Sequence, residues 1–188
     1  MMNRVHRTLC SSRLWAKAVA RELPQVLDPL PLGERVLEIG PGFGATTEVL
    51  AGRVPELTAV EVDQASARLL ERKFAGRAEI VHGDGARLPF TDGRFSSVVC
   101  FTMLHHVPSV AAQDELFAQA FRVVEPGGVF AGVDSLANLG FRLLHLGDTM
   151  VVLDPQRLPM RLRAAGFTDV HVQHVPKRRV RFFARKPG

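Results

Sequence analysis

Residues 36–44 read Val36-Leu37-Glu38-Ile39-Gly40-Pro41-Gly42-Phe43-Gly44: an apolar run holding one acid, then three glycines at alternate positions. A backbone without Cβ atoms can turn tightly and come directly against a ligand. If a helix follows, its first N–H groups are left to meet a carboxylate or phosphate. The spacing alone admits more than one nucleotide, because Ala45 also completes the G-x-G-x-x-A pattern of dinucleotide binding. Glu38 narrows the choice, since a negative charge just before the loop repels a pyrophosphate but accepts from the amino group of an amino-acid-like ligand. Glu61, in Val60-Glu61-Val62-Asp63, follows Gly40 by 21 residues, a separation that suits a carboxylate accepting ribose hydroxyls; Asp63 reads as a helix cap. Asp84, in Gly83-Asp84-Gly85-Ala86-Arg87-Leu88-Pro89-Phe90, can accept from an exocyclic amine while the Gly85 N–H serves a ring nitrogen. Alone, Asp84 reads equally well as a solvated turn acid. Three acids behind one glycine loop point instead to a ligand with an amino-acid part, a sugar and a base.

The elements that must carry these residues alternate. Arg35–Ile39 reads as a strand, Thr46–Arg53 as a helix, Leu57–Val62 as a strand, Gln64–Phe74 as a helix, and Glu79–His82 and Phe95–Phe101 as strands. Ala111–Val124 carries Leu116, Phe117, Ala120, Phe121 and Val124 on one helical face, and Glu125-Pro126-Gly127-Gly128 ends it. Val129–Val133 is a fifth strand, a helix starts near Leu158 because Pro159 suits a first turn, and Val170–His174 and Val180–Arg185 follow, with Pro176 and Lys177 in the turn between them. Near the N-terminus, Ser11 or Ser12 caps a helix of Arg13–Leu23 striped by Trp15, Val19 and Leu23, and Pro24, Pro29 and Pro31 break the pattern. Strand–helix alternation implies parallel strands with helices on both faces, and the short final turn implies an antiparallel pair. In such sheets ligands lie outside the carboxyl ends of strands at the switch point, here strands one and four. Phe101-Thr102-Met103-Leu104-His105-His106 therefore faces the reacting centre. His105 or His106 can serve as a base near neutral pH; LHH reads also as a packing feature with one imidazole bonded to backbone.

Composition excludes several classes. The 188 residues suffice for one domain with its own core. Cys10 and Cys100 show no CxxC or Cys/His spacing, so neither a disulfide framework nor a metal is expected, and a reducing, cytoplasmic setting follows. No apolar run spans a bilayer, and Arg4, Arg7 and Arg13 without an apolar stretch do not form a secretory signal. Of the net charge of +5, six positive charges lie in the last twelve residues (Lys177, Arg178, Arg179, Arg181, Arg185, Lys186). They read as protection of an edge strand rather than a stripe for nucleic acid or lipid.

Taken in order, VLEIGPGFG, AVEVD, GDGARLPF, FTMLHHV and EPGGVF resemble the class I S-adenosylmethionine (SAM)-dependent methyltransferases, especially their type 11 small-molecule group, over Glu34 to Val133. The resemblance implies a three-layer Rossmann-like α/β fold whose seven-stranded, mostly parallel sheet has order 3-2-1-4-5-7-6 with an antiparallel last strand. It implies that Glu38, Gly40, Pro41, Gly42 and Gly44 hold the methionine part of SAM, Glu61 with Val62 the ribose side, and Asp84 with Gly85 the adenine, Phe101 completing the set; S-adenosylhomocysteine is then the product. Ser96 departs from the aspartate usual after the phenylalanine, at a structural position. On this basis residues 1–188 form one domain: 1–33 a helical lid or extension, 34–134 the SAM-binding core, 135–154 an acceptor-covering segment and 155–188 the last helix and hairpin. Apolar Leu136, Leu139, Phe141, Leu143, Leu144 and Leu146 let 135–154 line an acceptor pocket or simply pack, and a second copy of the chain can complete the roof. The expected partner is a small, partly apolar methyl acceptor.

Three alternatives stand beside it. An RNA adenine dimethyltransferase shares VLEIGPGFG and AVEVD, but clamps a flipped base with Asn-[Ile/Leu]-Pro-[Tyr/Phe] after strand four, where this chain has Thr102-Met103-Leu104-His105. A nicotinamide oxidoreductase is opposed by Glu38 and gives Asp84 no role. A non-catalytic module of the same fold would use the basic tail for a partner.

Overall fold

Along β4 (Phe95–Phe101), Val98 and Cys100 enter one core cluster while Val99 and Phe101 enter another. That period-two division is the signature of a strand buried on both faces. β1 (Arg35–Ile39) divides the same way, sending Leu37 and Ile39 to the first cluster and Val36 to the second. The computed structural model describes residues 3–175 and 178–188, so the turn assigned to Pro176 and Lys177 lies outside the described residues. The sheet contains β3 (Glu79–His82), β2 (Glu56–Glu61), β1, β4, β5 (Val124–Ser135), β7 (Arg179–Arg185) and β6 (Thr168–Val175), in that order. β1 to β5 pair in parallel, and β7 runs antiparallel to both neighbours.

One face is covered by α5 (Val110–Val123) and α7 (Leu158–Ala164), whose Leu116, Phe117, Ala120 and Val123, with Leu158 and Leu162, pack on Phe130 and Phe182. α7 begins where Pro159 occupies its first turn, as its fixed φ favours. The other face carries α2 (Arg13–Leu27) and α3 (Ala45–Leu50), with Leu23, Leu27 and Leu50 buried on Val36, Leu57 and Val99. α4 (Gln64–Lys73) is capped by Asp63, whose side chain accepts from the Ser66 N–H at 2.8 Å. Ser12 caps α2 by accepting from Trp15 N–H at 3.1 Å.

Four expectations change. Pro24 lies inside α2 instead of ending it: burial of Leu23 and Leu27 outweighs the one backbone bond the imino acid loses. Two short helices, α1 (Arg4–Cys10) and α6 (Leu139–Leu144), appear where no long apolar period marks them. Glu125-Pro126-Gly127-Gly128 belongs to β5, which starts directly after α5; the pairing jumps from Phe95–Val124 to Ser97–Val129, a bulge that absorbs the extra residues. The basic strand β7 is interior, and β6 is the edge. Its charges have internal work. Lys186 Nζ donates to the carbonyls of Phe121 and Val124 at 2.9 and 2.8 Å, closing the end of α5. Arg185 donates to Gly127 O at 2.6 Å, Arg181 to Val26 O at 2.8 Å, and Arg179 pairs with Glu22 at 3.2 Å.

Ser96 fills its structural position by hydroxyl chemistry. Its Oγ accepts from the Arg35 N–H at 3.0 Å and lies 2.8 and 2.9 Å from the carbonyls of Leu32 and Arg35. A hydroxyl can donate to a carbonyl there, whereas an aspartate would face two acceptors. No helix among the described residues is long and apolar enough to cross a membrane.

Phe130 is fully buried against Phe117, Phe167 and Phe182, with ring centroids 5.0–5.8 Å away. Phe130→Ala is expected to cost about 3–5 kcal/mol in urea unfolding. Leu139→Ala, at a side chain 76% exposed, is expected to stay within about 0.5 kcal/mol.

Candidate functional site

Strand parity brings two carboxylates to one face of the sheet. In β1, Glu38 follows Val36 by two residues; in β2, Glu61 follows Leu57 by four, so both side chains emerge on the α2–α3 side. Glu38 is 1% exposed. Its Oε1 accepts from the Thr46 hydroxyl and its Oε2 from the Thr47 hydroxyl at 2.7 Å, both in the first turn of α3. Burial pushes the Glu38 carboxyl up to about 7, against the lowering pull of the two hydroxyls and with a further push from Glu61. Glu61, also buried, accepts from the Gly42 N–H through Oε2 and from the Asp63 N–H through Oε1, both at 3.0 Å. Its carboxyl too is raised by burial, opposed by those amides.

The glycine loop spans the gap between these acids. Gly42 has φ +57 and open space where a Cβ would stand, whereas at Gly40 (φ +71) a Cβ would meet the Met103 side chain at 2.9 Å. Gly44 (φ +75) would strike Phe74 and Leu70 at 2.6 and 2.7 Å. Gly40 and Gly44 thus serve close packing and Gly42 leaves the surface open. Pro41 is buried beside them, and the Gly44 N–H closes the turn on Pro41 O at 2.9 Å. Asp84 is exposed after β3 and accepts from the Ala86 N–H at 2.9 Å, forming a local turn. Gly85 is required by packing, since a Cβ would sit 2.7 Å from Ile39 Cγ2. Val62, past the end of β2, is 68% exposed.

The Phe101 ring is buried among Leu23, Leu27, Val36 and Val99. Its parity places it on the same sheet face as Glu38. Both Glu38 oxygens accept from α3 hydroxyls in this arrangement, so the same carboxyl also anchors the helix that follows the loop.

Beyond β4 the backbone is strained at Thr102, a β-branched residue with φ +51 whose N–H donates to Val133 O at 2.7 Å. A 3-10 turn, Leu104–His106, follows. The two histidines separate there. His105 is buried, with Nδ1 2.5 Å from Asp134 Oδ1 and its backbone N–H donating to Asp134 Oδ2 at 3.0 Å; Nε2 has no partner. This is the arrangement of an imidazole oriented by a buried carboxylate. His106 joins His6 and His145, with ring centroids 5.1 and 5.4 Å away, and burial together with its neighbouring imidazoles lowers it to about 3, so it is neutral. Buried Gln113 fixes the turn by donating to Leu104 O at 2.9 Å and Val151 O at 2.7 Å.

Thr46, Thr47, Asp134, His6 and Asp148 were not singled out from the sequence. The threonines carry a signal there, being the first hydroxyls after the glycine loop and eight and nine residues from a buried acid. The others come from distant segments and carry none. α1 lies over the loop: Arg7 stands above the Phe43 ring at 5.8 Å. Two surface grooves, of about 340 and 670 Å³, lie elsewhere, one among Arg35, Glu56 and Arg94 at the strand starts and the other among Pro29, Pro31, His171 and Phe183.

Residues 37–132 match the family model described as a methyltransferase domain. Among curated relatives, the ubiquinone/menaquinone biosynthesis C-methyltransferase UbiE of Ectopseudomonas oleovorans is 31% identical over 124 residues, 62% of this chain and 68% of that protein. The ribosomal RNA small subunit methyltransferase A of Geobacter metallireducens is 37% identical over 91 residues, 47% of this chain and 33% of that protein. The chain spans under half the length of several curated relatives it matches. A solved SAM-dependent methyltransferase from Aquifex aeolicus shares the fold with TM-score 0.77 at 16% identity, covering 98% of this chain and 99% of that one. The chain belongs to the class I SAM-dependent methyltransferases of the type 11 group.

A carboxyl raised in the folded state binds a proton that the unfolded chain releases near 4.5, so its stabilising contribution is complete below about pH 4.5 and is lost as pH rises through about 7. Glu38→Gln removes that loss. From pH 4.5 to 8 the stability difference between variant and wild type is expected to move in favour of the variant by roughly 3 kcal/mol, measured by urea unfolding at each pH. A difference that stays flat across the range would contradict a buried carboxyl of this kind.

Proposed function

We propose that this methyltransferase binds SAM across the Glu38–Glu61 face and alkylates a small, partly apolar acceptor. The observation that carries the reading is the Glu61 carboxylate held against the Gly42 amide beside an open, left-handed glycine. When bound, SAM supplies a methyl on a cationic sulfur, displaced in line with a neutral thioether as leaving group.

The chain's own residues then have separable roles. Glu61 holds its two oxygens in fixed directions through Gly42 and Asp63; a carboxylate retains lone pairs beyond those two bonds for ribose hydroxyls. Gly42 lets backbone approach the amino-acid end of the donor. Glu38 positions this loop through α3 and acts on the ligand indirectly. Val62 offers an exposed apolar face to a base, and Asp84 an exposed carboxylate to its amine. Of the two histidines, His105 has the geometry of a proton acceptor, with Asp134 orienting its ring and Nε2 unpartnered.

Residues 135–154 form the acceptor side. Leu139, Leu143 and Leu146 are 76%, 59% and 68% exposed, so α6 and the turn after it present leucines outward instead of packing them. Apolar surface here, with small-molecule methyltransferases among the relatives, supports a small apolar acceptor. The single-domain division into an N-terminal lid, a donor-binding core and this covering segment belongs to the same reading.

Thermal shift with S-adenosylhomocysteine and with NADH tests it. S-adenosylhomocysteine is expected to raise Tm by several degrees at about a hundredfold excess over Kd, as linkage requires. NADH should leave Tm unchanged, and Glu61→Ala should abolish the shift. Stabilisation by NADH alone would sink the proposal.

A further inference from the structure

Four histidines from three segments meet beside the donor cleft. His6 comes from α1, His105 and His106 from the turn after β4, and His145 from the end of α6; adjacent ring centroids are 4.1–5.4 Å apart. One ring nitrogen from each of His6, His106 and His145 lies within 4.8 Å of the other two. We propose that His6, His106 and His145 form a three-imidazole site for a divalent transition ion of the Zn²⁺ type.

Each ring has its second nitrogen engaged from outside the cluster. His6 Nδ1 donates to Asp148 Oδ2 at 3.1 Å, in a contact where the Asp148 side chain is 1% exposed. His145 Nδ1 donates to Phe141 O at 2.7 Å, and the His106 ring donates to the Thr149 carbonyl. An imidazole that gives its proton to a carboxylate or carbonyl keeps a lone pair on its other nitrogen, the usual support behind metal-bound histidine. His145 Nε2 is buried without a partner. Leaving such a nitrogen unsatisfied costs about 1–3 kcal/mol, a cost that an ion held by the three rings would offset. Ligand nitrogens on tetrahedral zinc stand roughly 3.3 Å apart at bond lengths of about 2.0–2.1 Å; each ring needs to move inward by about an ångström or less. Three nitrogens without a direct carboxylate suit Zn²⁺ and its neighbours better than Mg²⁺ or Ca²⁺.

Three protein ligands leave a fourth position open, as in zinc sites that act on a bound molecule. α1 reaches the glycine loop through Arg7 and Phe43, and His145 ends α6 in the segment assigned to the acceptor, so the site stands between the two. The ligand inferred for the open position is an anionic oxygen or sulfur of that acceptor, a step that rests on the acceptor reading above. His105 stays outside the set, turned onto Asp134.

Co²⁺ titrated into the full chain, after chelator treatment and dialysis, provides the test. One equivalent is expected to give the visible absorption of a four-coordinate ion and to be displaced by Zn²⁺. His6→Gln, His106→Gln and His145→Gln should each weaken Co²⁺ at least about tenfold, and Asp148→Asn about 10- to 100-fold, while His105→Gln leaves affinity unchanged. Addition of 2-mercaptoethanol should bring in a thiolate-to-cobalt band. Every variant is checked for stabilisation by S-adenosylhomocysteine, which reports fold and donor cleft without the ion. Loss of that stabilisation in the wild type would count against the donor reading and leave the metal result standing. Absence of stoichiometric Co²⁺ uptake, or equal uptake by all three ligand variants, overturns the site; a loss in His105→Gln, or no thiolate band, overturns the open position.

Discussion

A carboxyl group sunk into an apolar sheet face, with two hydroxyls as its partners, ties β1 to α3. Glu38 cannot be exposed without unseating Val36 and Leu37, which are fully buried on either side of the strand. Its oxygens therefore have to be satisfied from within, and Thr46 and Thr47 supply the donors. Strand end and helix start are thereby held a fixed distance apart, and the chain between them must turn sharply enough to need left-handed φ at Gly40, Gly42 and Gly44. The loop's shape follows from that anchoring, and Glu61 inherits its bond to the Gly42 amide.

The opposite side of the cleft obeys a different constraint. Asp134, at the end of β5, is buried and receives both the ring and the backbone N–H of His105. Gln113 and Val151 complete the clamp, with the Val151 N–H donating to His105 O at 2.8 Å. The turn after β4 is thus pinned by α5, β5 and the 150s segment together. Strain at Thr102 persists because its neighbours on both sides are fixed. One side of the site is set by local sequence and the other by contacts between distant segments.

That asymmetry explains what could be read from the sequence. The donor side was legible because its parts are local: a strand, a glycine loop and a helix start within a dozen residues, and acids at strand ends whose parity follows from counting. The sheet order and the final antiparallel pair followed from alternation and family resemblance together. The burial of the Phe101 ring was not legible, because a strand-end aromatic has two faces to choose from and the packing of α2 covers one of them. Pro24 was read as a break because the buried leucines that override it depend on α3 and the sheet. The tail was read as an edge since its charges are contiguous in sequence, yet strand order inserts it between two neighbours and turns Lys186 into the cap of α5.

The histidine cluster marks the limit of such reading. His6, His106 and His145 are separated by 100 and 39 residues, without the short spacing by which metal sites announce themselves. Cysteine spacing pointed away from a metal, and it says nothing of imidazoles gathered by tertiary structure. The segments that assemble the cluster, α1 and the α6 region, are also those outside the family match at residues 37–132, apart from His106 itself. The donor half thus lies within the family match, and α1 and α6 lie outside it. The acceptor's chemistry should accordingly be sought where α1 and α6 meet the turn after β4.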